Sequence, residues 1–173
     1  MKIFYIDIEK FKKKYNKNVL TPYADIEIKT EKRFYEYTIG RYLIKNAAKQ
    51  YYNLTDTEII INENGKPVFK NSNLFFSLSH SKDIVIACFD KYPCGIDIEY
   101  IKQKNLDKLS KYFKQNFKTQ EDFYKYWTNR EAQYKLNENT KNSYFAKFQN
   151  DYYMSIVSNK EFNQNELSIL PYN

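Results

Sequence analysis

Glycine occurs only three times in 173 residues, at positions 40, 65 and 95, and this scarcity sets the first limits on the fold. A backbone loop that wraps a phosphate needs clustered glycines, so neither a Walker-type loop nor a GxGxxG dinucleotide fingerprint can be assembled. Long stretches are also left without a breaker. Residues 31–52 contain no proline and glycine only at 40, which predicts a long helix. Phe34, Tyr37, Leu43 and Ala47 fall on one broad face of it, and Thr30 is placed to cap it ahead of Lys32 and Arg33.

Around that helix the pattern is extended. KIFYIDI at 2–8 alternates as a strand, and short runs bounded by turn residues follow: EIIIN (58–62), PVF after Asn64-Gly65, LFFSLSH (74–80), DIVIACF (83–89) and CGIDIE (94–99). Helical spacing returns from Asn105 to Phe113 and from Gln120 to about Leu136. SYFAKFQ and YYMSIVS, joined at Asn150-Asp151, then read as a hairpin. The order predicts an α+β fold in two similar halves meeting near residue 95, a lobe over 1–94 and a shorter one over 95–173. The basic run KFKKK at 10–14 reads as a solvated helix face.

Composition removes several classes. With one histidine, His80, and two cysteines, Cys88 and Cys94, no Cys/His zinc site can be built, so a metal here must be oxygen-bound. The cysteines read as one buried thiol and one loop thiol, not as a disulfide. No apolar run approaches the roughly 20 residues of a spanning helix, and Met1-Lys2-Ile3-Phe4 lacks a signal-peptide pattern. The expectation is a cytoplasmic protein. A net charge of +7 with 18 tyrosines and 13 phenylalanines predicts a ring-packed core, and equally suits a basic, aromatic nucleic-acid-binding module.

Three constellations carry chemistry. In Gly95-Ile96-Asp97-Ile98-Glu99, strand geometry puts Asp97 and Glu99 on one face and Ile96 and Ile98 on the other. Two adjacent carboxylates need a cation, and hard oxygen ligands favour Mg²⁺ with phosphate oxygens completing its shell; a polar edge strand is the plainer account. Trp127, Glu131 and Lys135 stand at successive i+4 steps on one helix face, a pattern that a surface ion pair beneath a core ring also produces. Gly65-Lys66-Pro67 is a tight turn. The following Ser77-Leu78-Ser79-His80-Ser81 offers hydroxyls and an imidazole to a phosphate, but no acid is placed by sequence to make His80 part of a nucleophilic triad.

Together these segments resemble the Sfp-type 4′-phosphopantetheinyl transferases, whose pattern runs GKP, SxSHS, GIDIE and WxxKExxxK. All four occur here in order, over roughly residues 31–138 plus the KIFYI start. The resemblance implies two α+β lobes related by a pseudo-twofold axis, with the active site in the cleft between them. It implies Mg²⁺-dependent transfer of the phosphopantetheine arm of coenzyme A to a serine of an apo acyl or peptidyl carrier protein, as in fatty acid biosynthesis, releasing adenosine 3′,5′-bisphosphate. By that likeness Asp97, Glu99 and Glu131 hold the metal, and Glu131 and Lys135 serve catalysis. Arg33, Arg41, Lys66, Pro67, Ser79 and His80 bind coenzyme A. A monomer is implied, since both lobes come from one chain.

There are departures from that pattern. Arg130 stands where the family has the lysine of WxxKE, Phe117 where many members have a carboxylate, and Asn137-Glu138-Asn139-Thr140 where a glycine-bearing loop is usual. The C-terminal lobe reads as trimmed to one hairpin. A relative that keeps the fold and binds a carrier without catalysis is a further alternative.

Overall fold

A first strand with apolar residues on both faces must be covered on both, and Lys2–Asp7 (β1) is: Phe4 and Ile6 face one core cluster, Ile3 another. The computed structural model describes residues 1–163, 165 and 167–172. After β1 come α1 (Ile8–Lys14), a 3₁₀ segment (Lys17–Tyr23), α2 (Glu31–Tyr52), β2 (Ile59–Ile61), β3 (Pro67–Phe69), β4 (Phe75–Ser81), β5 (Ile84–Asp90) and β6 (Cys94–Tyr100). Then follow α3 (Leu106–Phe113), α4 (Gln120–Leu136), β7 (Ser143–Phe148), β8 (Tyr152–Ser158) and β9 (Ser168–Pro171). Among the described residues no helix is long and apolar enough to cross a membrane.

One sheet has the order β4-β5-β1-β9 and a second β6-β8-β7, while β2 and β3 form a separate hairpin. Residues of β5 alternate between the layers: Val85, Ala87 and Phe89 pack toward α2, while Ile84, Ile86 and Cys88 pack against Cys94, Ile96 and Ile98 of the second sheet. Helix α4 covers the far side of that sheet, with Tyr124 against Tyr153 and Ala132 and Leu136 against Val157. The layers therefore run α2, first sheet, second sheet, α4. The chain is α+β, with rings filling much of the space.

The expected α2 is present with the expected cap, Thr30 Oγ1 accepting from Arg33 N–H at 3.3 Å. Its buried face is centred on Ile39, Leu43 and Ala47; Phe34 and Tyr37, placed on that face from spacing, lie at its half-buried margin. The basic run lies on α1, where Ile8 and Phe11 are buried and Lys12–Lys14 form the last turn. Two readings change. Cys94 is buried in β6, not in a loop, with its thiol 3.4 Å from that of Cys88. Strand β9, unforeseen, pairs parallel to β1 (Lys2 with Ser168), so the chain returns to the first sheet and residue 95 does not divide the two sheets cleanly.

Two glycines fix backbone positions near the site. Gly65 adopts φ +74° in the β2–β3 turn, a conformation that costs glycine little. At Gly95 a Cβ would lie 2.0 Å from the Ala132 carbonyl oxygen, so only glycine lets β6 touch the backbone of α4.

Candidate active site between strand β6 and helix α4

Among the described residues strand β6 has a hydrogen-bonded neighbour strand on one side only. Toward β8 it forms an antiparallel ladder, Asp97 opposite Ser155 and Glu99 opposite Tyr153. In such a ladder alternate N–H groups point outward, and on this outer edge they meet hydroxyls in place of a strand. Ser77 Oγ accepts from Ile96 N–H (3.2 Å), Ser79 Oγ from Ile98 N–H (3.3 Å) and Ser81 Oγ from Tyr100 N–H (2.9 Å). Alternate serines on β4 share a face, which is why the three contacts repeat in step. The outward carbonyls take ammonium groups: Lys66 Nζ donates to Cys94 C=O (3.2 Å) and Lys135 Nζ to Ile96 C=O (3.1 Å).

The same serines reach the carboxylates. Ser79 donates to Asp97 Oδ1 (2.8 Å) and Ser81 to Glu99 Oε2 (3.1 Å). From the opposite side α4 supplies Lys135, 2.7 Å from Asp97 Oδ1, and the Trp127 indole N–H, 3.1 Å from Glu99 Oε1. Glu131 lies midway between Trp127 and Lys135 on that helical face. The half-buried Trp127–Glu131–Lys135 stripe and the Asp97–Glu99 pair therefore face each other across a contact that Gly95 keeps close. Burial, aided by the Asp97 charge, raises the Glu99 carboxyl above the ordinary range, against the pull of its bonds from Trp127 and Ser81.

Asp97 Oδ2 is buried and has no hydrogen-bond partner. An orphaned carboxylate oxygen beside a second carboxylate is a donor set that fits a hard divalent cation, for which Mg²⁺ needs only one or two carboxylates. The expected cluster of three is not preassembled: among the described residues no three Asp, Glu, His or Cys side chains come together as a metal site. Asp97 and Glu99 are each tied to β4 and α4 instead.

A cavity of about 520 Å³ opens next to this contact. Arg33, Arg41, Lys66, His80 and Lys135 line it, with Pro67, Ile44, Ile61, Phe76 and Leu78 as an apolar wall. The arginines, eight residues apart on α2, both approach the Tyr37 ring, 5.9 and 5.3 Å from its centroid. Arg41 donates to the Tyr37 hydroxyl, which donates to Asp25. Burial lowers the pKa of His80, with Glu36 opposing and Arg33 and Lys135 reinforcing the shift. Ser79, the remaining expected ligand contact, does not line this cavity; it is buried at the β4–β6 seam.

Sequence reasoning missed the contacts of Ser77 and Ser81 with β6 and Glu99, the Trp127–Glu99 bond and Glu36, whose Oε1 lies 3.6 Å from His80 Nδ1. The alternation of the serines was the available signal. Nothing local marks Glu36, which α2 carries across β4.

Comparison with known proteins bears on what such a site belongs to. The 4′-phosphopantetheinyl transferase psf-1 of Bacillus pumilus is 33% identical over 126 residues, 65% of this chain and 54% of that protein. The 4′-phosphopantetheinyl transferase gsp of Aneurinibacillus migulanus is 32% identical over 84 residues, 47% of this chain and 35% of that one. The 4′-phosphopantetheinyl transferase Sfp of Bacillus subtilis (strain 168) is 33% identical over 78 residues, 43% and 35%. The chain is similar to several curated 4′-phosphopantetheinyl transferases. No protein-family model matches it. The chain spans about half the length of psf-1 and about a third of gsp and Sfp in these matches.

Proposed function

We propose that this protein transfers the 4′-phosphopantetheine arm of coenzyme A to a serine hydroxyl of an apo acyl or peptidyl carrier protein, with Mg²⁺. What carries the reading is the convergence of Arg33, Arg41, Lys66, His80 and Lys135 on one cavity that abuts Asp97 and Glu99. Four permanent cations and an apolar wall suit a molecule that is polyanionic at one end and aromatic at the other, as a nucleotide is.

In this reading Arg33 and Arg41 hold the 3′-phosphate, and Lys66 and Pro67 form the nucleotide wall. Lys135 and His80 lie along the pyrophosphate. The carrier's serine oxygen forms the new bond to phosphorus, the bond to the adenosine 3′,5′-bisphosphate oxygen breaks, and the serine proton passes to the Glu131 carboxylate. Lys135 offsets charge that grows on the leaving oxygen, an electrostatic contribution made by a group already in place. Asp97 and Glu99, with Glu131 facing them from α4, would hold Mg²⁺, which supplies charge neutralisation at the diphosphate when bound. Ser79 acts on Asp97 here, not on coenzyme A. The halves 1–94 and 95–173, apart from β9, serve as lobes related by a pseudo-twofold axis with the cleft between them. The protein works in the cytoplasm as a monomer.

The test is mass spectrometry of an apo carrier protein incubated with this protein, coenzyme A and Mg²⁺. A phosphopantetheine adduct that disappears with Glu131→Gln is expected. No adduct on acyl or peptidyl carriers would reject the activity.

A further inference from the structure

A buried carboxylate is out of place in a cavity rich in cations, and Glu36 is one. It is 8% exposed and lines the larger cavity beside Arg33, His80 and Lys135. Its charged neighbours stand at ion-pair distances longer than a hydrogen bond: Lys32 Nζ at 3.7 Å, on a largely exposed side chain, and His80 Nδ1 at 3.6 Å. Among the described residues Glu36 is the one carboxylate within that reach of the imidazole. Both residues also line a second cavity of about 400 Å³, around which Lys82, Lys102, Lys104 and Glu99 bring further charge to face the ring.

His80 is the only histidine of the chain. With Nδ1 turned to a carboxylate, that nitrogen carries the proton of the neutral ring, and Nε2 is left as an acceptor. An acceptor cannot bond a phosphate oxygen. To meet one at Nε2 while Nδ1–H stays on Glu36, the ring must hold two protons. The protein alone disfavours the second: burial lowers the imidazole pKa most, Glu36 opposes, and Arg33, Lys135 and Lys32 reinforce the shift. A diphosphate would add negative charge beside the same ring and reverse the balance.

We infer that Glu36 is a positioning residue for His80, fixing the ring through Nδ1 so that Nε2 takes up a proton from solvent and hydrogen-bonds the diphosphate as coenzyme A binds. The inference rests on the coenzyme A reading given above and adds to it one residue and one proton. Charge alone makes the opposite prediction, because deleting a carboxylate from a polyanion site should tighten binding. Positioning makes the same deletion weaken it.

The experiment is calorimetry of coenzyme A binding without metal, in buffers of different ionisation heat, which reads affinity and proton uptake together. Wild type, Glu36→Gln, His80→Gln and the double variant are compared, with thermal unfolding followed in parallel. Glu36→Gln is expected to bind coenzyme A about tenfold more weakly, the loss of one charge-assisted hydrogen bond, with proton uptake falling to that of His80→Gln. In the His80→Gln background the same substitution should bring no weakening. A single histidine also lets the nitrogen NMR shifts of the ring be read in the wild type alone, and both nitrogens should be protonated in the complex. Binding by Glu36→Gln as tight as wild type, an equal loss with and without His80, or a neutral ring in the complex would overturn the role of Glu36. No binding of coenzyme A by the wild type would overturn this inference and the transfer reading together. The expected pattern without any adduct on a carrier would uphold Glu36 and reject the transfer alone.

Discussion

The two edges of β6 are held by different means. Toward β8 the bonds run backbone to backbone, and any residue except proline can make them. Toward β4 the partners are Ser77, Ser79, Ser81, Lys66 and Lys135, so here the pairing is written in side chains. Substitutions on the β8 edge should be absorbed, whereas those on the β4 edge should disturb stability and the carboxylates together. Edge strands usually need some such cover, and here the cover includes the chemistry.

The largest break in that contrast is Gly95→Ala. A methyl group 2.0 Å from the Ala132 carbonyl oxygen must push α4 off the strand, with an expected cost of about 3 kcal/mol in urea unfolding and loss of transfer. Unchanged stability would mean that α4 does not sit as closely as described. Next comes Lys135→Gln, which leaves Asp97 without its cation. The lysine is partly exposed, so the cost should be about 2 kcal/mol, less than for a fully buried pair, with a drop in transfer of at least tenfold.

Ser79→Ala strands Ile98 N–H and removes a donor from Asp97; about 1–2 kcal/mol is expected. Tyr153→Phe, its counterpart on β8, loses only a hydroxyl bond to Glu121 and should cost under about 1 kcal/mol. Equal costs for these two would erase the distinction between the edges. The smallest effect sharpens it through pH. The folded Glu99 carboxyl titrates above its unfolded value, so the native state binds the proton more tightly. In metal-free buffer the melting temperature should therefore fall as pH rises from the ordinary carboxylate range into the raised one, and Glu99→Gln should flatten that slope.

Much of this architecture was legible because it is local. The limits of α2 and α4 follow from caps and missing breakers, and the shared face of Asp97 and Glu99 follows from a period of two. Strand β9 escaped because Ser168–Pro171 is four residues long and pairs with a strand more than a hundred and fifty positions away, where no periodicity points. The serines were visible as alternation, but what an alternating face meets is a tertiary fact. The contacts of Ser79 with Asp97 and the β6 backbone are of that kind, and no local pattern announces them. The arginines illustrate the reverse, since two residues eight apart on a helix converge on one cavity because a tyrosine ring stands between them.

An ammonium has three N–H groups, and Lys135 uses two, one for Ile96 C=O and one for Asp97. The third remains for whatever fills the larger cavity. A visiting anion can thus be gripped without unfastening the strand from the helix, and the same nitrogen serves as both rivet and receptor.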